Sequence, residues 1–366
     1  MMALMCKFDL ESRHLDAVNA FTNAELDELV YVEFPDGFKR FGWVLKLLRA
    51  LYGLRRSPLL WQKELTTTFA ELGLETCSDE PCIQMNDWCI IFFFVDDISI
   101  LYRQKNEDNV NHLITRLKRH YELTDQENRI DQLRCDLNPT DVSFGVSKLA
   151  EHMMNPSSKH HEVMDQMLEY LFATRFFALE FSGDSNELHL LTKPKEIRIA
   201  TDAAFADNPD SRKSSQGCLI TLFNGPIWWN ATKQATVTTS STEAELLAFT
   251  HTAKETLSLL RLFKQIDLQL DNDPIIECDN TQTIRLITAD VPRVRTALKH
   301  VDIHNAWARQ TFQEGHFEVE YVPTNQMIAD GLTKALPGQA FKAFVQQLGL
   351  IDISPRIHHV PSDDEE

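Results

Sequence analysis

The stretch Glu196-Ile-Arg-Ile-Ala-Thr-Asp202 sets the architecture of the second half of the chain. Its isoleucines and threonine fall at every second position, and the intervening positions hold arginine, alanine and the final aspartate, Asp202. This period of two is typical of a β-strand with one buried face. Residues 217–223 and 226–233 follow as two more strand-like segments. The sequence therefore predicts three antiparallel strands, the first of which ends on an acid.

The rest of the second half alternates helix and strand signals. Ser240 and Ser241 can cap a helix, and Glu243 stands near the capping-box position. The elements predicted after the three strands are a helix to about Gln265, a strand at 274–279, a helix at 297–314, a strand at 316–322 and a last helix capped by Asn325. The order βββαβα(α)βα indicates a mixed α/β sheet domain.

Four carboxylates of this half fall at or near element ends. Asp202 ends the first strand, Glu245 lies one turn into the long helix, Asp279 ends the fourth strand and Asp330 lies in the last helix. Hydrolysis of a phosphodiester by two magnesium ions needs several such oxygens held together. Each acid has an ordinary alternative, because strand-ending aspartates commonly form turns and a helix glutamate is commonly solvated. Context favours the metal-site interpretation.

Five short motifs occur in a fixed order across residues 196–350. They are Thr201-Asp-Ala203, Ser241-Thr-Glu-Ala-Glu-Leu246, Glu277-Cys-Asp-Asn280, Lys299-His-Val-Asp-Ile303 and Ala329-Asp-Gly-Leu-Thr-Lys334. Together they resemble the ribonuclease H domain of copia-type (Pseudoviridae-like) LTR retrotransposon Pol proteins. The resemblance implies that Asp202, Glu245, Asp279 and Asp330 bind two Mg²⁺ ions, for which Mn²⁺ can substitute, and that the substrate is an RNA/DNA hybrid.

The first half carries a second group of acids. Asp16 is followed five residues later by Phe21, and the apolar run 89–95 ends at Asp96-Asp97. A short run of aromatic and β-branched residues indicates a buried strand that ends in a turn exposing both acids. The segment 48–58 between them offers a glycine for close backbone approach and arginines for phosphate.

This arrangement resembles the palm of copia-type reverse transcriptases over about residues 5–124. The resemblance implies that Asp16 and Asp96 bind two Mg²⁺ ions and that Asp97 supports them. It also implies nucleotide and template contacts for the residues Phe21, Gly53, Arg55, Ser57 and Pro58, with Phe21 excluding a ribose 2′-OH. An RNA template and deoxynucleotides are then the expected partners.

We expect parts of a polymerase to be missing. The sequence starts fifteen residues ahead of Asp16, so we expect no counterpart of the basic residues that hold the incoming triphosphate in the family. After Thr124 the sequence continues with a segment that resembles a region much further downstream in the family's proteins. This indicates that a block of residues between them has been deleted. Because phosphoryl transfer depends on positioning, we expect the polymerase to be impaired.

The expected architecture is a mixed α/β (α+β) chain of four parts. They are a partial reverse transcriptase at 1–124 with a truncated palm and incomplete fingers, a helical connector at 125–195 with the thumb largely deleted, a ribonuclease H-like mixed five-stranded sheet with flanking helices at 196–350, and an acidic tail at 351–366 that we expect to be disordered.

Composition limits the alternatives. Seven cysteines without a CxxC pair indicate neither a disulfide framework nor a zinc site. The sequence has no apolar run long enough for a membrane span and no signal peptide, so we expect a cytoplasmic or nuclear protein. The net charge of −18 argues against binding to the phosphate backbone of a nucleic acid. An inactive retroelement relic that binds nucleic acid or protein therefore stays an alternative to the enzyme.

Hybrid contacts are predicted from base-stacking aromatics and cations. The candidates are Arg212, Lys213, Trp228, its neighbour Trp229, and Lys233. Paired tryptophans in a strand are more commonly core residues, which is the competing interpretation.

Overall fold

The structure is a computed structural model that describes residues 1–78, 80–125, 140–179, 181, 196–289 and 299–357, with only the backbone described at 299–301 and 357. The chain divides into two compact units, Met1–Gln132 and Leu133–Glu366. The acidic residues at the end of the predicted tail lie outside the described residues. The division into four parts stays a prediction.

The first unit is built on the apolar run that precedes Asp96. That run forms one strand of an antiparallel six-stranded sheet whose strand order is β4-β5-β6-β7-β1-β8. The strands are β1 (Glu11–Ala17), β4 (Glu75–Thr76), β5 (Ile83–Met85), β6 (Cys89–Phe94), β7 (Asp97–Tyr102) and β8 (Leu123–Asp125), and a separate hairpin pairs β2 (Tyr31–Val32) with β3 (Leu45–Lys46).

Two helices pack against this sheet and contribute side chains to its core. The helices of the unit are α1 (Met2–Phe8), α2 (Ser57–Glu71) and α3 (Glu107–His120), and a 3₁₀ helix spans Ala20–Asn23. Trp61 and Phe69 of α2 pack with Val110 and Leu117 of α3 against the sheet strand residue Ile91. Burial of these side chains removes apolar surface from water, which is the main stabilising term of the unit.

The second unit contains the sheet that the alternating stretch predicts. Its strand order is β12-β11-β10-β13-β14, in which the first three strands are antiparallel and β13 and β14 run parallel to β10. The strands are β10 (Ile197–Ala204), β11 (Ser215–Leu222), β12 (Gly225–Lys233), β13 (Ile275–Cys278) and β14 (Glu318–Tyr321). The predicted mixed five-stranded sheet is confirmed.

The helices of this unit follow the predicted order. They are α4 (Ser143–Ala150), α5 (Ser158–Ala173), α6 (Ser241–Gln265), α7 (Thr281–Thr288), α8 (Lys299–Gln313), α9 (Gly338–Gln347) and α10 (Ser354–Ile357). The Ser240 side chain accepts a hydrogen bond from the Glu243 amide at 3.2 Å, and Glu243 accepts one from the Thr239 amide at 2.7 Å. The helix begins after Ser240 and ends at Gln265, as predicted. The cap stabilises its start because it satisfies amides that the first turn leaves unpaired.

The predicted last helix is wrong in its position. Asn325 lies in a 3₁₀ helix, Thr324–Gln326, and Asp330 lies in a second one, Ile328–Leu332, whereas α9 begins only at Gly338. At Gly331 a β-carbon would lie 2.5 Å from the ring of Phe344. Packing of α9 onto the glycine therefore overrides the local helix signal.

Residues 140–179 pack within the second unit. The Lys148 ammonium lies 2.7 Å from Asp207, and the Glu151 carboxylate lies 2.6 Å from the Lys233 ammonium of β12. A short strand, β9 (Phe177–Leu179), pairs with β15 (Leu350–Asp352), so part of the predicted tail is in regular structure. Among the described residues, no helix is both long and apolar enough to cross a bilayer.

Candidate active site

Two of the predicted ligands lie at one edge of the second sheet. Strands β10 and β13 are parallel neighbours in which Ala200 pairs with Glu277, so Asp202 and Asp279 both follow two residues later at the same level. The carboxyl ends of parallel strands meet at one edge, where irregular segments can approach. The sheet therefore places these two carboxylates side by side.

A third acid reaches the same edge through a close approach of backbones. The 3₁₀ helix that carries Asp330 lies over β11 at Gly217, the residue paired with Asp202. A β-carbon on Gly217 would lie 2.8 Å from both Leu332 and Thr333. Glycine is thus needed for clearance, and with it one ligand oxygen from each of Asp202, Asp279 and Asp330 lies within 4.8 Å of the others.

Glu245 faces this group from the first turns of α6. Its side chain is buried, and its Oε2 atom has no hydrogen-bond partner. Burial, followed by the charges of Asp202 and Asp279, raises the pKa of Glu245 to about 9. A buried carboxylate oxygen without a partner is costly, so this atom requires a proton or a cation.

The cluster also contains a cation of its own. The Lys334 ammonium lies 2.8 Å from Asp330 and 3.3 Å from Asp202. Burial alone would lower the pKa of Lys334, but the two carboxylates outweigh it and raise that pKa. Burial and the charge of Asp202 in turn raise the pKa of Asp330 to about 6. Lysine therefore offsets part of the repulsion among the acids.

Two hydroxyl groups orient the carboxylates. Thr333 donates a hydrogen bond to Oδ2 of Asp202, and Thr324 donates one of 2.7 Å to Oδ2 of Asp279. Each bond limits the rotation of its carboxylate. The donor set is made only of carboxylate oxygens, which suits Mg²⁺, and the unpartnered Oε2 of Glu245 fits a cation ligand.

The acids of the first unit are arranged differently. Asp16 on β1 pairs with Asp97 on β7, whereas Asp96 lies in the turn after β6 and its carbonyl accepts from the Ala17 amide at 2.8 Å. Val95 in this turn has a positive φ of 55°, and its carbonyl accepts from the Trp61 indole at 2.5 Å. The predicted strand and the turn after it are confirmed, but the exposure of both acids is not: Asp97 is exposed at the start of β7, whereas Asp96 is half-buried. Among the described residues, these acids form no group of three ligand atoms comparable to that of the second unit.

The predicted nucleotide and template residues surround the start of α2. Phe21 is buried, with its ring 4.5 Å from that of Tyr52. Gly53 has φ of 91°, a conformation that side chains disfavour. Ser57 donates to the Leu51 carbonyl at 2.7 Å and is the first residue of α2. Of the other two residues of this set, Pro58 follows in the first turn and Arg55 is exposed.

The predicted hybrid contacts are spread over two regions of the second unit. Arg212 is exposed and Lys213 is half-buried in the loop before β11. The ring of Trp228 on β12 lies 6.1 Å from the ring of His251. Trp229 packs on the core around Leu219, which agrees with the competing interpretation that the tryptophans are core residues. Lys233 is ion-paired with Glu151 at 2.6 Å. Their role in binding stays a prediction.

Sequence reasoning assigned no role to four residues of the site. They are Gly217, Thr324, Thr333 and Lys334. Two of them, Thr333 and Lys334, stand in the quoted segment 329–334, where a hydroxyl and a cation lie three and four residues after an acid. The spacing of four between Asp330 and Lys334 was a usable signal. Gly217 had none, because its need arises from a contact with residues far along the chain.

The fold and the site together define the class. The second unit has a mixed five-stranded sheet with acids at the carboxyl ends of two parallel strands, and it follows a unit with a large antiparallel sheet. Residues 1–137 match the family described as reverse transcriptase (RNA-dependent DNA polymerase).

The relatives of the whole chain agree with this class. The chain is 26% identical to a retrovirus-related Pol polyprotein from transposon TNT 1-94 of Nicotiana tabacum, over 95% of this chain and 32% of the relative. It is 25% identical to the one from transposon RE2 of Arabidopsis thaliana, over 94% and 28%. The chain is thus a relative of copia-type retrotransposon Pol polyproteins, as predicted, and spans about a third or less of their length.

A solved structure resembles part of the chain. It is the LC11 ribonuclease H1 isolated from compost, with 16% identity and a TM-score of 0.30, over 41% of this chain and 97% of that protein.

Proposed function

We propose that the second unit hydrolyses the RNA strand of RNA/DNA hybrids with two Mg²⁺ ions, which Mn²⁺ can replace. The observation that carries the proposal is the convergence of three carboxylates within 4.8 Å beside a buried glutamate whose Oε2 has no partner. Such a group of acids is costly without a cation, and a phosphodiester supplies the negative charge that bound cations attract.

Each residue of the site has a distinct task in this proposal. Asp202, Glu245, Asp279 and Asp330 would hold the ions. When bound, the ions lower the pKa of the attacking water and stabilise the leaving oxygen. Thr333 and Thr324 keep the carboxylates of Asp202 and Asp279 in one orientation. Preorganised ligands reduce the cost of reorganisation during the reaction.

Substrate binding needs cations and aromatic surface outside the acid cluster. We assign it to Arg212, Lys213 and Trp228, and to Lys233 once its ion pair with Glu151 opens. These residues would contact phosphates and the minor groove face of the hybrid, which is recognised mainly by shape and 2′-hydroxyl groups.

For the first unit we propose a reverse transcriptase palm of low activity. Asp16 and Asp96 would bind Mg²⁺ with Asp97 in support, and Phe21, Gly53, Arg55, Ser57 and Pro58 would shape the nucleotide and template site. The alignment with the tobacco relative runs over 431 positions, more than the 366 residues of this chain, so it places gaps in this chain. That gap supports an internal deletion, and loss of positioning elements slows phosphoryl transfer.

The test is cleavage of an RNA/DNA hybrid whose RNA strand is labelled. With Mg²⁺ we expect cleavage, and Asp279→Asn should reduce it on the order of 1,000-fold because one shared ligand is lost. Asp210→Asn, an exposed aspartate outside the cluster, is the matched control and should stay within about twofold.

Two outcomes would contradict the proposal. Equal cleavage by the parent chain and by Asp279→Asn would mean that the observed nuclease is a contaminant. Binding of the hybrid without Mg²⁺-dependent cleavage would instead support the alternative of an inactive retroelement relic that acts as a binding module. Extension of a primed RNA template at a rate similar to intact polymerases would overturn the proposal of an impaired palm.

A further inference from the structure

The two regions that carry the predicted hybrid contacts are joined by one carboxylate. The Oε2 atom of Glu151, which directly follows α4, accepts a hydrogen bond from the Lys233 ammonium and one from the Asn208 side-chain amide, both at 2.6 Å. Lys233 ends β12, whereas Asn208 lies in the loop before β11 that also carries Arg212 and Lys213. Glu151 therefore contacts both regions at once.

Asn208 is buried and organises this loop. Its side-chain oxygen accepts from the Ser211 amide at 2.8 Å and from the Ser211 hydroxyl at 2.7 Å. Its carbonyl accepts from the Arg212 amide at 2.9 Å, and its own amide donates to the Lys213 carbonyl at 3.2 Å. The backbone that carries Arg212 and Lys213 is therefore fixed to the residue that Glu151 holds.

The Lys148 ammonium of α4 completes this network. It lies 2.7 Å from Asp207 and 3.4 Å from Glu151, and it donates to the Ser215 hydroxyl at 2.9 Å. Asp207 also accepts from the Ser215 amide at 2.7 Å. The network thus holds two lysines, Lys148 and Lys233, against two carboxylates, Glu151 and Asp207. Its four charges balance, so it offers a polyanion no net positive charge.

The Glu151 side chain is well shielded from solvent and ionised. It is 13% exposed, and the Lys233 side chain is 32% exposed. Burial alone would raise the pKa of Glu151, but the hydrogen bonds and charges of Lys233 and Lys148 outweigh it and lower that pKa. An ionised carboxylate offers an ammonium group the same kind of charged oxygen as a phosphodiester does. Glu151 therefore occupies Lys233 in the way that a phosphate of the substrate would.

We propose that Glu151 is an internal competitor of the hybrid's phosphate backbone. In the free protein it neutralises Lys233, and a hybrid reaches this cation only when it displaces the carboxylate. A protein whose binding-competent form is only partly populated binds its ligand with an affinity reduced by that fraction. Because it concerns regulation of the same surface, the proposal rests on the proposed function.

Displacement at Lys233 also affects the loop that carries Arg212 and Lys213. When Glu151 leaves Lys233, the Asn208 amide loses the oxygen that both groups share. The two regions are then released together, so the carboxylate couples them. A ligand that reaches both regions compensates for the opening, whereas one that reaches a single region does not.

The alternative is that the ion pair serves only to attach α4 to the sheet. Helix α4 has no fully buried residue, so polar contacts contribute to its attachment. In that case, loss of the Glu151 charge would loosen the loop and β12, and hybrid binding would weaken. Internal competition predicts the opposite sign.

The experiment measures fluorescence anisotropy of a labelled RNA/DNA hybrid with the full chain in Mg²⁺, and every variant carries Asp279→Asn so that the hybrid stays intact. Glu151→Gln should bind about fivefold more tightly than the parent, because a partly exposed ion pair reduces the open fraction by about this factor. The slope of log affinity against log salt should become steeper by about 0.9, since one phosphate contact is gained without loss of an internal pair.

A second background and a matched control separate the charge of Glu151 from other effects. In a Lys233→Met chain, Glu151→Gln should change the affinity by less than about twofold, because the cation that Glu151 neutralises is absent. Glu162→Gln removes an exposed carboxylate of α5, and thus the same charge, and should bind like the parent. Without nucleic acid, acetylation of Lys233 followed by mass spectrometry should be faster in Glu151→Gln, with the exposed Lys264 as reference.

Weaker or unchanged hybrid binding by Glu151→Gln would overturn the proposal. So would equal tightening by Glu162→Gln, which would assign the effect to overall charge, and equal tightening in the Lys233→Met chain, which would exclude Lys233 as the neutralised cation. Thermal unfolding checks that each variant is folded. A parent chain without Mg²⁺-dependent cleavage would remove the nuclease proposal but leave the affinity shift, whereas an unchanged affinity beside normal cleavage would remove only the internal competitor.

Discussion

Two groups of acids in this chain look alike in sequence but differ in space. In the second unit, Asp202 lies near the end of β10, Asp279 directly follows the parallel strand β13, and a 3₁₀ helix brings Asp330 against them. In the first unit, Asp16 and Asp97 pair across antiparallel strands and Asp96 occupies a turn. Shared coordination therefore depends on which strand ends meet and on how closely a third segment can approach, more than on the number of acids.

The largest expected effect concerns the stability of the metal-free second cluster. Its acids have pKa values raised to about 9 for Glu245 and about 6 for Asp330. Because the folded state keeps these protons while the unfolded state loses them, stability should fall as the pH rises from about 4 toward 9. Between pH 5 and pH 8 the loss should be on the order of 3 kcal/mol.

Urea unfolding in EDTA at the two pH values measures this loss. Glu245→Gln should remove much of the pH dependence, and excess Mg²⁺ should remove it in the parent chain because cations replace the protons. Asp97→Asn, which changes an exposed acid of the first unit, should leave the slope unchanged. A slope of the opposite sign would mean that the cluster is not strained without metal, and the comparison between the two groups would fail.

The second effect tests the close approach at Gly217. Alanine there would place a methyl group 2.8 Å from Leu332 and Thr333 and should cost about 1–3 kcal/mol. It should also reduce hybrid cleavage, because the segment that carries Asp330 must move. Thermal unfolding and the cleavage assay measure both effects.

Gly338 provides the matched substitution in the same unit. A β-carbon at Gly338 would meet nothing within 4 Å, so Gly338→Ala should preserve stability and cleavage. If Gly217→Ala behaved like Gly338→Ala, the close approach would not be what distinguishes the second group of acids from the first.

The smallest effect concerns the lysine inside the cluster. Lys334→Met removes an ammonium group 2.8 Å from Asp330, so it should tighten Mn²⁺ binding severalfold by removing a competing cation. Titration of free Mn²⁺ by electron paramagnetic resonance measures this affinity, and Lys342→Met, an exposed lysine of α9, is the control. Weaker binding in Lys334→Met would mean that the lysine serves mainly to orient the carboxylates.

Much of the second unit was predictable from local sequence signals. The alternation after Glu196 gave the first strand, and Ser240 with Glu243 gave the start of α6. Asp202 and Asp279 were predictable as a pair because strand-ending acids of parallel neighbours share an edge. These features were predictable because each depends on a short sequence pattern, and the structure keeps the element that the pattern predicts.

The parts that could not be predicted depend on contacts between distant residues. The segment after Asn325 was expected to be helical, but Phe344 packs where a β-carbon of residue 331 would lie. Lys233 was expected to bind nucleic acid, but in the structure it forms an ion pair with Glu151, which is 82 residues away in the chain. In the first unit, the exposure of Phe41 and Trp43 depends on the hairpin leaving the sheet. Periodicity and caps report none of these contacts.

The packing of residues 140–179 onto the second unit has a practical consequence for protein production. A recombinant fragment that began at Glu196 would leave Asp207 and Lys233 without Lys148 and Glu151, and would deprive β15 of its partner strand. Strand edges and apolar surface exposed in this way promote aggregation of the purified protein. A fragment that starts ahead of Thr140 keeps these partners and is the better choice for crystallisation or kinetic work.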